Sequence, residues 1–346
     1  MTKVAVLGSG SWGTAFANVV ADAGVADTVL WGRRAEVVDE INQRHLNPDY
    51  FPGIELNANL SATTDVERAL SGADFVVLAV PSQTLRANLD LWRAHIPRSA
   101  VVVSLIKGIE LGTSRRMSEV ISEVLAIPGE RVAVVSGPNL AREIAQRQPA
   151  TAVVACSEER SAVRLQSICM APYFRPYTNT DVVGVELGGA VKNVIALAVG
   201  VAVGMGFGDN TKASLITRGL AETVRLAVAL GADEHTLAGL AGLGDLVATC
   251  SSPLSRNRTF GERLGSGMKL EEVIGETRQT AEGVKSSQSV LELARATGVD
   301  MPITEAVVAM MHHQLPPAQA LLQFMSRSAK PERYGLGEPS QGAHPR

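Results

Sequence analysis

A chain of 346 residues, 46% hydrophobic and 19% charged, is long enough for roughly two domains and has the balance of an ordinary soluble globular protein. A formal net charge of −3 gives no electrostatic reason to expect nucleic acid or an anionic membrane as partner. Three scattered cysteines, Cys156, Cys169 and Cys250, argue against a disulfide framework or a zinc site, so no metal and a reducing cytoplasm are expected.

The chain runs from Met1 straight into a strand-like stretch, without the basic region, long apolar core and cleavage site of a leader. Residues 3–7 read as a buried strand that enters GSGSWG, with Gly8, Gly10 and Gly13. A helical pattern over 11–23 and a second strand over 28–31 follow. This is the order of a dinucleotide-binding βαβ unit. Gly8 allows the tight turn, Gly10 the approach of a pyrophosphate, and Gly13 close packing of helix on strand. The helix start offers free N–H groups to the phosphates. An NAD-preferring site places an acidic residue about 20 residues beyond the turn. Here the chain reads LWGRRAE, and Arg33 and Arg34 match a 2′-phosphate in charge and shape, so NADP is expected over NAD.

The α/β rhythm continues with a helix over 64–70 and a strand over 75–79 that ends at Pro81. A helix over 85–94 and a strand over 100–105, ending at Lys107, come next. A strand over 131–135 ends in SGPNLAREIA, where Gly137 supplies a turn and Asn139 is expected to cap the following helix. Strands over 151–155 and 174–177 complete this half. Ligands of open parallel sheets sit beyond the carboxyl ends of the strands, which makes Pro81, Lys107, Gly137 and Asn139 candidates.

From about residue 181 strand patterns vanish and helical periodicity runs to about 327, which places a domain boundary near 180. The stretch 185–208 is among the most apolar in the chain, yet it contains Lys192. Its charge-free part is shorter than the ~20 residues of a membrane span, so a buried helix is expected. Burying an ammonium costs several kcal/mol unless it is paired. Lys192 is therefore either a functional group or a side chain that snorkels to the surface. Helical neighbours Gly188, Gly189 and Ala196 leave room near it. Further helices are expected over 215–229, 290–296 and 304–313, the last with His312 and His313 at the surface. Two polar groups stand out: Gly242-Leu-Gly-Asp245-Leu-Val-Ala-Thr249 and Ser255-Arg256-Asn257-Arg258. The second suits a phosphate at a helix start capped by Ser255, and it equally suits an ordinary capped helix with a surface arginine. Nothing local explains Glu282 in TAEGVKS.

The strings GSGSWGTA, LAVPSQ, IKGIE, SGPN, ELGGAVKNVIALAVG, NTKASLITRGL, GLGDL, SRNRTFG and AEGVKS occur in this order over about residues 1–327. In them the chain resembles bacterial NAD(P)-dependent sn-glycerol-3-phosphate dehydrogenase. The resemblance implies an α/β fold: a Rossmann-type dinucleotide-binding domain (1–180), then an all-helical substrate domain (181–328). It implies reversible reduction of dihydroxyacetone phosphate to sn-glycerol 3-phosphate in the cytoplasm, feeding glycerophospholipid synthesis. By the same resemblance Lys192 is the proton donor and acceptor, and Lys107 touches both substrate and cofactor. Gly137, Asn139, Asp245, Ser255, Arg256 and Asn257 match substrate positions. Ser11, Trp12, Arg33, Arg34, Ala141, Thr280 and Glu282 match cofactor positions, with Arg256 also near the cofactor. Asn139 stands where a hydroxyl residue is common, and Thr280 where an aliphatic one is. Asp245 is expected either to orient substrate hydroxyls or to balance the lysines, and a nearby Lys107 is expected to favour neutral Lys192. A homodimer is expected from the apolar helical half, and the tail 329–346 reads as disordered. Two rival readings stay open: a dehydrogenase of the same architecture acting on a hydroxy acid or keto lactone, and an NADPH-binding sensor without turnover.

Overall fold

The computed structural model describes residues 1–276 and 282–326; Thr280 and the tail from residue 329 lie outside them. Short runs rich in Val, Ala and Leu form β1 (Thr2–Leu7), β2 (Ala26–Trp31), β3 (Ser61–Thr63) and β4 (Phe75–Leu78). The same composition forms β5 (Val101–Ser104), β6 (Val132–Ser136) and β7 (Ala150–Ala155), while β8 (Phe174–Asn179) is the more polar FRPYTN. All eight lie in one sheet of order β3-β2-β1-β4-β5-β6-β7-β8. Every neighbouring pair is parallel except β6 and β7. The antiparallel pair departs from the all-parallel expectation.

Seven helices alternate with the strands: α1 (Ser11–Ala23), α2 (Ala35–Arg44), α3 (Val66–Leu70), α4 (Leu85–Trp92), α5 (Met117–Leu125), α6 (Ala141–Ala145) and α7 (Glu159–Ile168). Because strand side chains alternate, Val4 and Val6 join a core with Phe16, Ile41 and Leu165 on one face. Ala5 and Leu7 join Leu89, Trp92 and Ile121 on the other. The chain order reverses at β1, with β2 on one side and β4 on the other, and the crevice beyond the strand ends opens there.

The second half is helical: α8 (Val182–Gly204), α9 (Asp209–Ala229), α10 (Glu234–Ala238), α11 (Asp245–Ser251) and α12 (Arg256–Gly265). It ends with α13 (Leu270–Glu276), α14 (Glu282–Ala296), α15 (Pro302–His312) and α16 (Pro317–Met325). α8 is its axis, packed by α9, α11, α12 and α14. Every residue from Gly184 to Ala202 is buried, as a helix apolar all round requires. By length and composition α8 could cross a membrane, but protein encloses it. Glycines let α8 and α12 meet backbone to backbone. A Cβ on Gly200 would lie 2.1 Å from Arg258 O, and one on Gly261 would lie 2.2 Å from Leu197 O.

α14 begins eight residues before the helix expected over 290–296. Ser286, Ser287 and Ser289 break the apolar periodicity of that segment, yet all three are buried. Ser289 Oγ donates to Ile109 O at 3.0 Å, which satisfies one of them within the core. His312 and His313 are exposed, as expected, and His312 also joins α14 to α15: its Nε2 lies 2.9 Å from Val284 O and 3.3 Å from Ser287 Oγ.

Candidate active site

Three separate segments bring charge to one point. Lys107 follows the end of β5, Lys192 sits mid-way along α8, and Asp245 is the first residue of α11. A π-helical turn over Leu240–Gly244 delivers Asp245. That turn needs Gly242, because a Cβ there would lie 2.0 Å from Leu237 O. Gly188 gives the turn room, since a Cβ would sit 2.4 Å from Ala241 O. Gly189 faces Ser136 Oγ and the Lys107 stem, so the glycines near Lys192 clear space for both halves of the chain.

Asp245, 1% exposed, accepts from both lysines. Lys192 Nζ donates to Oδ1 at 2.5 Å and Lys107 Nζ to Oδ2 at 2.8 Å. Lys107 Nζ also donates to Gly137 O at 3.0 Å, and Lys192 Nζ to Thr249 Oγ1 at 2.8 Å. Asp245 thus pairs with both lysines, the contact that the charge-balancing reading requires. Thr249 escaped the sequence reading as a functional residue. The available signal was its spacing, four residues after Asp245 and hence on the same helix face.

Burial pushes the Lys192 ammonium down from 10.5 to about 8; Asp245 opposes the shift and Lys107 adds to it. The neighbouring Cys250 thiol is pushed up to about 12 by burial and stays protonated at neutral pH. Glu282 lies across the cleft: its carboxyl accepts from the Ser82 main chain and feels the charges of Arg256, Lys107 and Lys192. Burial outweighs these and raises its pKa. The structure therefore explains a glutamate that had no local explanation.

α12 starts at Arg256, with Ser255 as its cap accepting from Arg258 N at 3.3 Å. The first main-chain N–H groups of that helix lack intrahelical partners, and the Arg256 side chain is exposed beside them. Asn257, matched to a substrate position, has both amide atoms engaged within the protein. Its Nδ2 donates to Asn193 Oδ1 at 3.0 Å and its Oδ1 accepts from Gly283 N at 3.0 Å.

The residues expected to hold a dinucleotide fit one. Gly8 has φ +128°, a conformation that side chains rarely adopt, and a Cβ on Gly13 would lie 2.0 Å from Gly8 O. Above Gly10 there is open space, and no side chain caps the α1 start at Ser11. Trp12 Nε1 and both amide atoms of Asn139 are buried without a hydrogen-bond partner, which suits a polar ligand. Asn139 does not cap α6 as expected, because the helix begins at Ala141 with Leu140 in the cap position. From Asn139 a side chain cannot reach the helix N–H groups. Ala141 nonetheless starts the helix that packs on α1 beside the glycine turn. Arg34 is engaged by Asp49 at 2.6 Å, with Glu36 at 3.9 Å. Arg33 is exposed, and no described acidic side chain forms an ion pair with it. Among the described residues no cluster of His, Cys, Asp and Glu is arranged to hold a metal.

The family descriptions "NAD-dependent glycerol-3-phosphate dehydrogenase N-terminus" and "C-terminus" match residues 3–162 and 181–322. A relative from Thermobifida fusca named glycerol-3-phosphate dehydrogenase [NAD(P)+] is 79% identical over 97% of this chain and 100% of its own. A relative of the same name from Streptomyces griseus is 66% identical over 96% of this chain and 98% of its own. The crystal structure of glycerol-3-phosphate dehydrogenase from Coxiella burnetii is 36% identical and superposes with a TM-score of 0.88, covering 94% of this chain and 99% of that one.

Proposed function

The chain belongs to the NAD-dependent glycerol-3-phosphate dehydrogenase family, and on that premise we infer that the buried lysine pair on Asp245 is its catalytic centre. The protein is an NAD(P)-dependent oxidoreductase that reduces dihydroxyacetone phosphate to glycerol 3-phosphate. The observation that carries the assignment of residues is Lys192: an ammonium on the core helix, titrating at about 8, with its proton directed by Asp245 and Thr249.

Bound NAD(P)H supplies the hydride. As negative charge builds on the substrate carbonyl oxygen, Lys192 stabilises it and delivers the proton from Nζ; in the reverse direction neutral Lys192 takes the proton back. A pKa of about 8 lets one group serve both directions near neutral pH. Asp245 holds Lys192 and Lys107 at fixed positions and keeps two like charges together in a buried place. Arg256, Ser255 and the main-chain N–H of Asn257 at the start of α12 hold the substrate phosphate. Gly137 and Asn139, at the end of β6, line the substrate side, and Lys107 serves substrate and cofactor alike. Gly8, Gly10, Ser11, Trp12, Gly13, Ala141, Arg256, Thr280 and Glu282 complete the cofactor site. Arg33 and Arg34 select NADPH, with Arg33 the freer of the two for a 2′-phosphate. The domains divide near residue 180, the chain works as a homodimer in the cytoplasm, and its product feeds glycerophospholipid synthesis.

The test is oxidation of NADPH with dihydroxyacetone phosphate by wild type and Lys192→Ala. We expect kcat to fall roughly 10²- to 10⁴-fold with NADPH affinity nearly unchanged. Normal turnover by the variant would remove Lys192 from the mechanism.

A further inference from the structure

The turn between α2 and β3 lies against the glycine turn and the end of β2. Asn47, fully buried, donates from Nδ2 to Ser9 O at 3.2 Å and to Thr14 Oγ1 at 3.0 Å. Its carbonyl accepts from Tyr50 N at 3.2 Å and Phe51 N at 2.8 Å, and the Phe51 ring is buried in the core of the first half. Asp49 is thereby held in a tight turn between two buried anchors. A Cβ on Gly32 would lie 2.5 Å from Ser9 Oγ, so the residue before Arg33 is pressed against the same glycine turn. Asp49 Oδ2 lies 2.6 Å from Arg34 Nη2, and Glu36 Oε1 stands 3.9 Å from Arg34 Nε. Arg33 is exposed and forms an ion pair with neither carboxylate. Of two neighbouring arginines, one is engaged by an acid from another segment and the other is not.

We propose that Asp49 is a specificity-determining residue of the cofactor site: it occupies Arg34 and so limits how far the enzyme favours NADPH over NADH. The adenosine ribose of a bound dinucleotide lies beyond the end of the second strand, where Arg33 and Arg34 stand. A 2′-phosphate is a monoester with about 1.5–2 negative charges near neutral pH. It must either draw Arg34 away from Asp49 or bind with that carboxylate close by, and both weaken its hold. A 2′-hydroxyl meets neither cost. In an NAD-preferring site the acid at the strand end bonds the ribose directly. Here the acid comes from a later turn and acts on the arginine instead. Asn47 and Phe51 fix the backbone on either side of Asp49, so the carboxylate stays beside Arg34. Both side chains of the pair are about half exposed, which makes the effect moderate and sensitive to salt. The proposal rests on the reading of Arg33 and Arg34 given above.

The test is titration of the whole chain with NADPH and with NADH, followed by the fluorescence of the bound nicotinamide, at low and at high salt. Wild type is compared with Asp49→Asn, Arg34→Gln, the double variant and Arg33→Asp. Asp49→Asn keeps the size and turn preference of the side chain and removes its charge. It is expected to bind NADPH about 2- to 5-fold more tightly, with NADH unchanged and the gain smaller at high salt. Arg34→Gln is expected to weaken NADPH. In that background Asp49→Asn should gain less than in wild type, because the pair it relieves is already gone. A damaged turn would weaken both cofactors together, so a change in their ratio is a readout that a purely structural role does not move. Unchanged NADPH affinity in Asp49→Asn overturns the proposal, as does a parallel loss of both cofactors. A full gain in the Arg34→Gln background overturns it too, since Asp49 would then act on the phosphate without the arginine. So does a loss confined to NADH, which would make Asp49 a ribose ligand. Wild-type NADPH affinity in both Arg33→Asp and Arg34→Gln overturns the reading of the arginines and the proposal with it; a weakened Arg34→Gln beside an unchanged Asp49→Asn overturns the proposal alone.

Discussion

Lys192 is the residue on which burial and reactivity meet. Burial pushes its pKa down to about 8, so its charged form is the dominant one below that pH and the neutral form above it. If Lys192 is the proton donor, as proposed, reduction of dihydroxyacetone phosphate needs its charged form and is expected to decline as pH rises through about 8, while oxidation of glycerol 3-phosphate rises over the same interval. Initial rates in both directions between pH 6 and 10 check this; parallel profiles would assign the proton to another group. At the opposite end of the cleft, Arg33→Asp is expected to lower affinity for NADPH and spare NADH, as competition binding would show. The sequence made Lys192 legible because a lysine in so apolar a run demands a partner. It did not reveal Thr249, whose partner lies 57 residues away in the chain. The local role expected of Asn139 was not borne out, since a shift of one residue in the helix start decides whether a side chain caps.

Among the elements, α8 determines where the site's parts sit. Its contact with α12 is so close that Gly200 and Gly204 face carbonyls of α12 directly. Gly200→Val puts a side chain into Arg258 O and is expected to cost about 1–3 kcal/mol, and more if the helices separate. Since α12 carries Arg256 at its start, the same change should raise KM for dihydroxyacetone phosphate. A urea unfolding curve and a KM measurement test the two together; an unchanged KM would mean that α12 pivots without moving its N-terminus. Most strands of the first half were readable as short continuous apolar runs, and α1, α3 and α4 by their 3.6 period, whereas β3, α2 and α5 were not anticipated. The start of α14 was not, because serines look polar in sequence, and that Ser286, Ser287 and Ser289 are buried is decided only by the fold.

At the scale of the molecule the two halves are held by polar ties as well as by apolar packing. Glu186 of α8 accepts from Ser118 N at 2.8 Å, Ser118 Oγ at 2.5 Å and Arg116 Nη1 at 2.7 Å, capping α5 from across the junction. Glu186→Ala leaves the Ser118 N–H unpaired and Arg116 Nη1 with only Ser118 Oγ at 3.1 Å, and is expected to destabilise the fold by roughly 1–3 kcal/mol, readable as a lower urea midpoint. A midpoint equal to wild type would show that water replaces the carboxylate at no cost. By itself the sequence determined the α/β half with its glycine turn, the helical half, and the candidates Lys107, Lys192, Asp245 and Arg256, because local periodicity and residue chemistry are carried by neighbours in the chain. Only the tertiary structure decided that Asp245 bridges both lysines, that Glu282 faces the same cleft, that β7 runs against β6, and that Asn257 spends its amide on Asn193 and Gly283. Apart from the pairing of the successive strands β6 and β7, each of these depends on contacts between segments far apart in the chain, and such contacts exist only once the helices have packed around α8.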